Sequence, residues 1–131
     1  MLVVEMRTYL LADSAVAAKI GVRMFPISLP QNVRYPAITY SQVSSVRERD
    51  LCGPAGFARP RISINSWAET YLEARALADA VDDALYNFRG KFTPAGVRVG
   101  SVRLENEMDQ EEPDVEVYRV LQDYIVSHVE D

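Results

Sequence analysis

The chain of 131 residues carries one histidine, His128, and one cysteine, Cys52. An imidazole acts as a base or metal ligand only when partners orient it, and no Cys lies near His128 in sequence. His128 therefore reads as a surface or interface residue in a terminal strand. Cys52 precedes Gly53 and Pro54 in a loop-like stretch. A nucleophilic thiolate needs a lowered pKa and usually a neighbouring base. Arg47 and Arg49 offer charge but no base, so Cys52 reads as a free thiol. Carboxylates are abundant. Asp79, Asp82 and Asp83 recur at helical spacing, as a two-metal site would require, yet they belong to the solvent side of an amphipathic helix. Glu105, Glu107, Asp109, Glu111, Glu112 and Asp114 form an acidic run that lacks the Asp-x-Asp-x-Asp-Gly order of a calcium loop. Gly53-Pro-Ala-Gly56 has no lysine after it and no strand-to-helix setting, so it is not a phosphate loop. No catalytic, cofactor-binding or metal-ligating residue is assigned, and no cofactor is expected.

Composition agrees with a scaffold. Hydrophobic residues make up 48% and charged residues 25%, which suits one globular domain over residues 1–131. The formal charge of -5 argues against a duplex-DNA binder, which needs a clustered basic surface. A single cysteine cannot form an intrachain disulfide, which suits a reducing compartment. Glu5, Arg7 and Asp13 interrupt the apolar N-terminal stretch, and no basic region precedes it as in a secretory signal. No run approaches the roughly 20 apolar residues of a membrane span. The expectation is a protein made in the cytosol and without a membrane partner.

The elements follow from period and punctuation. Residues 1–11 place Leu2, Val3, Met6, Tyr9 and Leu10 on one helical stripe. Asp13 or Ser14 can cap a short second helix over 15–20, closed by Gly21. Pro26, Pro30 and Pro36 exclude a helix from the next stretch, which can hold a strand at 22–25 and then an extended loop. Strands are expected at 37–47 and 59–67, forming a hairpin around a charged turn region over 47–60. The stretch 67–88 looks like one long helix. Thr70 and Glu73 make a capping box near its start. Ala74, Leu77, Ala78, Val81, Ala84, Leu85 and Phe88 form its buried face, and Gly90 is a stop. Trp67 is expected to pack under this helix, in the core or at its rim. Beyond it, Gly100 marks a bulge between Val99 and Val102. The acidic run is expected to be an exposed loop. Residues 115–129 form a final strand that is apolar on both faces, hence central or meeting another subunit. The fold class expected is α+β: a mostly antiparallel sheet packed by an N-terminal helical segment and one long central helix.

Two features point to assembly. One is the two-sided final strand. The other is the opposition between a basic group, Arg47, Arg49, Arg59 and Arg61, and the acidic group from Glu105 to Asp114. Opposite charges on one subunit can meet head to tail, and a closed rotation then gives a ring.

The order of these features resembles the tail completion or tail terminator proteins, also called tail-to-head joining proteins, of tailed phages and prophages. The resemblance rests on Tyr35-Pro36 leading into Ile38 and Tyr40, on Arg59-x-Arg61 and Trp67, and on the helix with Ala74, Leu77, Ala78, Val81 and Leu85. The closing "YRVLQDYIV" at 118–126 completes it. It implies a structural virion protein, not an enzyme, at the head-proximal end of the tail. It implies a homohexameric ring that caps the tail tube, meets a head-side connector or stopper and lets DNA pass. On that footing, Arg47, Arg49, Arg59 and Arg61 are expected to contact a neighbour or the tube. Glu105, Glu107, Asp109, Glu111, Glu112 and Asp114 are expected to line the channel or an end face. A head-completion or neck adaptor is the nearest alternative. A small α+β enzyme or ligand-binding domain, with a cavity lined by Tyr40, Trp67 or Tyr124, is another. A nucleic-acid module is the third.

Overall fold

The computed structural model describes residues 2–49, 56–86, 88–113 and 116–130, and at 44–49, 56, 57 and 130 the backbone alone. The chain runs α1 (Leu2–Ala12), α2 (Ser14–Ile20), β1 (Met24–Pro26), β2 (Ala37–Arg49), β3 (Gly56–Ala68), α3 (Tyr71–Leu85), β4 (Gly90–Lys91), β5 (Arg98–Glu112) and β6 (Val117–Glu130). The class is α+β, with a six-stranded sheet in the order β1-β2-β3-β6-β5-β4.

The expected mostly antiparallel sheet is corrected to a mixed one. β1 lies parallel to β2, with Met24 beside Ile38 and Pro26 beside Tyr40. The ten-residue connection between them, with Pro30 and Pro36, stays extended and brings the chain back to start β2 alongside β1 in the same direction. The β2–β3, β3–β6, β6–β5 and β5–β4 pairings are antiparallel.

Local chemistry sets the helix limits. The Asp13 carboxylate accepts the N–H groups of Ala15 at 3.0 Å and Val16 at 3.2 Å, which starts α2. Gly21, at φ 60°, ends it and donates to the Ala17 carbonyl. Thr70 Oγ1 accepts the Glu73 N–H at 3.2 Å and starts α3. The long helix expected over 67–88 is thus shorter at both ends. Trp67 and Ala68 belong to β3. At the far end the chain leaves the helix at Tyr86, and Phe88 stacks on Phe92 with ring centroids 4.4 Å apart. Tyr9 leans on both rings, at 4.8 and 5.1 Å, so aromatic packing and not Gly90 ends the helical path.

The helical layer also differs from an N-terminal segment plus one long helix. All three helices place their apolar stripes in one core on the same side of the sheet. Leu2, Met6 and Leu10 of α1, Val16 and Ile20 of α2, and Leu77, Val81 and Leu85 of α3 meet Ile38, Ile62, Ile64, Tyr124 and Val126. Ala68, Ala74, Ala78 and Val120 make a second cluster, where small side chains let α3 approach the strands closely. Tyr9 Oη donates to the Ala84 carbonyl at 2.9 Å and ties α1 to α3.

One glycine is required by a close approach. The Glu5 carboxylate accepts the Val97 N–H at 2.8 Å and lies against Gly96, where a Cβ would overlap it. Gly96→Ala should displace Glu5, strand the Val97 N–H and destabilise the fold by about 1–3 kcal/mol. A chemical denaturation midpoint equal to that of the parent would contradict this.

Candidate assembly surface

The helices cover one face of the sheet, and among the described residues no helix packs on the other. Strand alternation decides which residues stand on this open face. Cross-strand rows read Ser41, Ser63, Asp123 and Asn106; then Thr39, Asn65, Leu121 and Met108; then Trp67, Arg119 and Gln110. Trp67, expected under the helix, therefore points away from it. Ser66 and Ala68 take the helix side, so parity sends Trp67 to the other. Its indole N–H donates to Thr39 Oγ1 at 3.0 Å, and the Arg119 guanidinium sits 5.1 Å from the ring centroid. β6 lies between β3 and β5, so it is the central strand that its two apolar faces suggested.

The basic group is not on a loop. Arg47 and Arg49 lie in the last part of β2, and Arg59 and Arg61 in β3, because the hairpin strands run to 49 and from 56. Side chains of Arg47 and Arg49 lie outside the description. Arg59 is exposed and lines a cavity of about 470 Å³ with Arg98, Ser101, Ser127 and His128. Arg61 donates to Asp123 at 3.0 Å across the open face. Residues 50–55, with Cys52 and Gly53-Pro-Ala, lie outside the described residues.

The larger correction concerns the acidic run. Glu105 to Glu112 is not a loop but the outer half of β5, paired with β6 from Asn106 beside Asp123 to Glu112 beside Val117. Asp114 lies outside the described residues. Acidic residues at 105, 107, 109 and 111 already show a period of two, the strand signal that a search for apolar alternation overlooks. Two bulges shift the register, one between Val99 and Ser101, where Gly100 was expected to bend the chain, and one between Leu104 and Asn106.

The bulges aim the carboxylates. Glu107 and Asp109 turn toward α3, where Arg75 reaches Glu107 at 3.1 Å, Asp109 at 3.3 Å and Asp79 at 3.0 Å. Burial alone would lower the Arg75 pKa, but Glu107 and Asp79 outweigh it and raise the pKa. Tyr71 Oη donates to Asp109 at 2.8 Å, and that hydrogen bond raises its pKa above the usual 10.0. Gln122, fully buried in β6, donates to Glu107 at 3.1 Å and to the Ala78 carbonyl at 3.2 Å. Glu105 pairs with Arg103 at 3.0 Å, and Glu112 with Arg119 at 3.1 Å. Sequence reasoning missed Arg75 as the cation that holds this strand to the helix. Its signal was present: Arg75 and Asp79 are an i, i+4 pair on the polar face of α3.

Among the described residues, no three His, Cys, Asp or Glu side chains gather as a metal site. Tyr40 and Tyr124, candidates for a ligand cavity, are buried at 8% and 1% exposure. A recess of about 310 Å³ does touch Tyr124, between Asp82, Tyr86, Val102 and Leu104. Two of its polar groups satisfy each other, since Tyr124 Oη donates to Asp82 at 3.1 Å, and Arg103, which also lines it, pairs with Glu105. Burial first, and then the Asp82 charge, push the Tyr124 phenol far above its usual 10.0. The native state thus holds a proton that the unfolded chain releases near pH 10. Its stabilisation is complete below pH 10 and is lost as pH rises beyond it. Thermal melts should fall from about pH 10 upward, and Tyr124→Phe should flatten that fall; an equal slope in the variant would contradict the assignment.

Residues 4–128 match the family described as Tail completion protein gp17. A chain from a structure titled "Virion of native gene transfer agent (GTA) particle" has the same fold, with a TM-score of 0.75 at 18% identity. The alignment covers 95% of this chain and 92% of that one. A comparison with curated proteins finds no match.

Proposed function

The chain belongs to the Tail completion protein gp17 family, a family of structural phage virion proteins, and on that premise we propose that it forms a homohexameric ring closing the head-proximal end of the tail tube. The ring stops tube growth, presents its other side to a head-side connector or stopper, and lets DNA pass through its channel. It performs no catalysis and takes no cofactor. The observation that carries this reading is the family match over nearly the whole chain. A sheet with one face free of helices, bordered by oppositely charged strands, supports it, because such a subunit has surfaces left to share.

In this reading Arg47, Arg49, Arg59 and Arg61 contact a neighbouring subunit or the tube. The strand β5, which keeps net negative charge after its carboxylates pair within the subunit, borders a neighbour at the ring's margin, where its negative field also discourages DNA from sticking. Reversing Arg59 and Arg61 to Glu should weaken the ring. Light scattering across a concentration series measures this: the parent should give a discrete hexamer mass, alone or after mixing with tail-tube protein, and the double variant a smaller one. Equal masses for both would remove these arginines from the interface.

A further inference from the structure

Both outer flanks of the sheet are unpaired over long stretches. β1 covers β2 only from Ile38 to Tyr40, and Ile27 N–H closes that stretch on the Tyr40 carbonyl. Residues 41–49 of β2 have no strand on their outer side among the described residues. β4 covers β5 only at Arg98 and Val99, so residues 100–112 are open likewise. At about 3.3 Å per residue these edges are about 30 and 40 Å long. An edge of this length, with its row of N–H and C=O groups, is a template for another strand.

The two edges differ in charge. Residues 100–112 carry five carboxylates against Arg103. Residues 41–49 carry Arg47 and Arg49 against Glu48, and Arg59 and Arg61 stand on the adjacent strand, beside Val46 and Ser44. Ion pairs to Arg75, Arg103 and Arg119 offset part of this charge but leave β5 net negative, so two β5 edges still repel each other while a β5 edge and a β2 edge attract. Each also exposes apolar side chains: Val43 at 60% on β2, and Leu104 at 36% and Met108 at 44% on β5. Direction agrees as well. β2, β3, β6 and β5 alternate, so a second copy rotated about an axis along the strands presents its β2 antiparallel to β5.

We propose that the outer edge of β5 pairs, antiparallel, with the outer edge of β2 in a second copy of this chain, so that the sheet continues from subunit to subunit. This rests on the ring reading and specifies how its subunits join. The contact is head to tail, which closes into a ring when the rotation per subunit divides a full turn. The arginine-rich end of the β2–β3 hairpin then lies beside the net-negative strand β5.

Edge pairing preserves alternation, so open-face residues of one strand neighbour open-face residues of the next. The test uses the full chain with Cys52→Ser and Ser41→Cys. To it is added, one at a time, Arg103→Cys, Asn106→Cys, Met108→Cys or Gln110→Cys on the open face, or Leu104→Cys or Asp109→Cys on the helix side. After assembly and mild oxidation, at least one open-face variant should give a ladder of covalent multimers, at roughly ten times the yield of either helix-side variant. Assembled protein that gives no ladder at any open-face position, or gives it equally from the helix side, overturns edge pairing and leaves the ring reading standing. A parent chain that never assembles, alone or on tail-tube ends, overturns both.

Discussion

Leu77→Asp should leave the chain unfolded at 25 °C. Leu77 is fully buried where α3 meets the sheet, in the core formed with α1 and α2. Removing it forfeits about 1.5–3 kcal/mol of apolar burial. The carboxylate then meets no cation in that core and costs several kcal/mol more, even after a raised pKa neutralises part of it. A domain of this size has about 5–15 kcal/mol in total, so the loss approaches the whole. Leu77→Ala, which leaves a cavity but no charge, should cost about 2–5 kcal/mol and keep the fold. Circular dichroism and urea melts distinguish them. A cooperative melt for Leu77→Asp within about 1 kcal/mol of the Ala variant would contradict this packing.

Arg75→Glu should have the next largest effect. Arg75 is the shared partner of Asp79, Glu107 and Asp109, and its replacement sets four carboxylates against one another at the α3–β5 contact. Single exposed ion pairs contribute little, about 0–1 kcal/mol. Here three partners share one cation, and Gln122 links Glu107 to the buried strand β6. We expect a loss of about 2–3 kcal/mol at 50 mM salt, roughly halved at 1 M, where the Debye length falls to about 3 Å. Arg75→Met, without the added repulsion, should lose less. A loss that ignores salt would mean that the arginine stem, not its charge, holds β5 to the helix. Because β5 is an outer strand, Arg75→Glu should also reduce assembly at salt concentrations where the monomer still folds.

The sequence was most legible where local chemistry decides the outcome. Asp13 and Gly21 bracket α2, Thr70 caps α3, and Gly100 sits at a bulge, each as its residue type demands. The alternation of Ile62 and Ile64, and of Tyr118 to Val126, marked the central strands and the core they face. The acidic half of β5 was illegible for a physical reason. Its strand character comes from pairing to β6 and from Arg75 on another element, not from apolar alternation of its own. The reach of the β2–β3 hairpin was underestimated for a similar reason, since polar residues at its far end are held by cross-strand ladders. Trp67 was assigned to the wrong face because one residue of parity separates the helix side from the open side. β1 pairs in parallel across a ten-residue connection, which no local signal announces. Of the assembly surface, the charged groups were visible. Their placement on two strand edges was not, because edges are a property of the whole sheet.

We propose above all that this protein ends a tail tube. Tail-tube subunits polymerised with and without the purified chain, then imaged in negative stain, test it most directly. A ring should stand at one end of each tube, and lengths should stop increasing once the protein is added. Tubes that keep growing at the same rate, with bare ends, would contradict it.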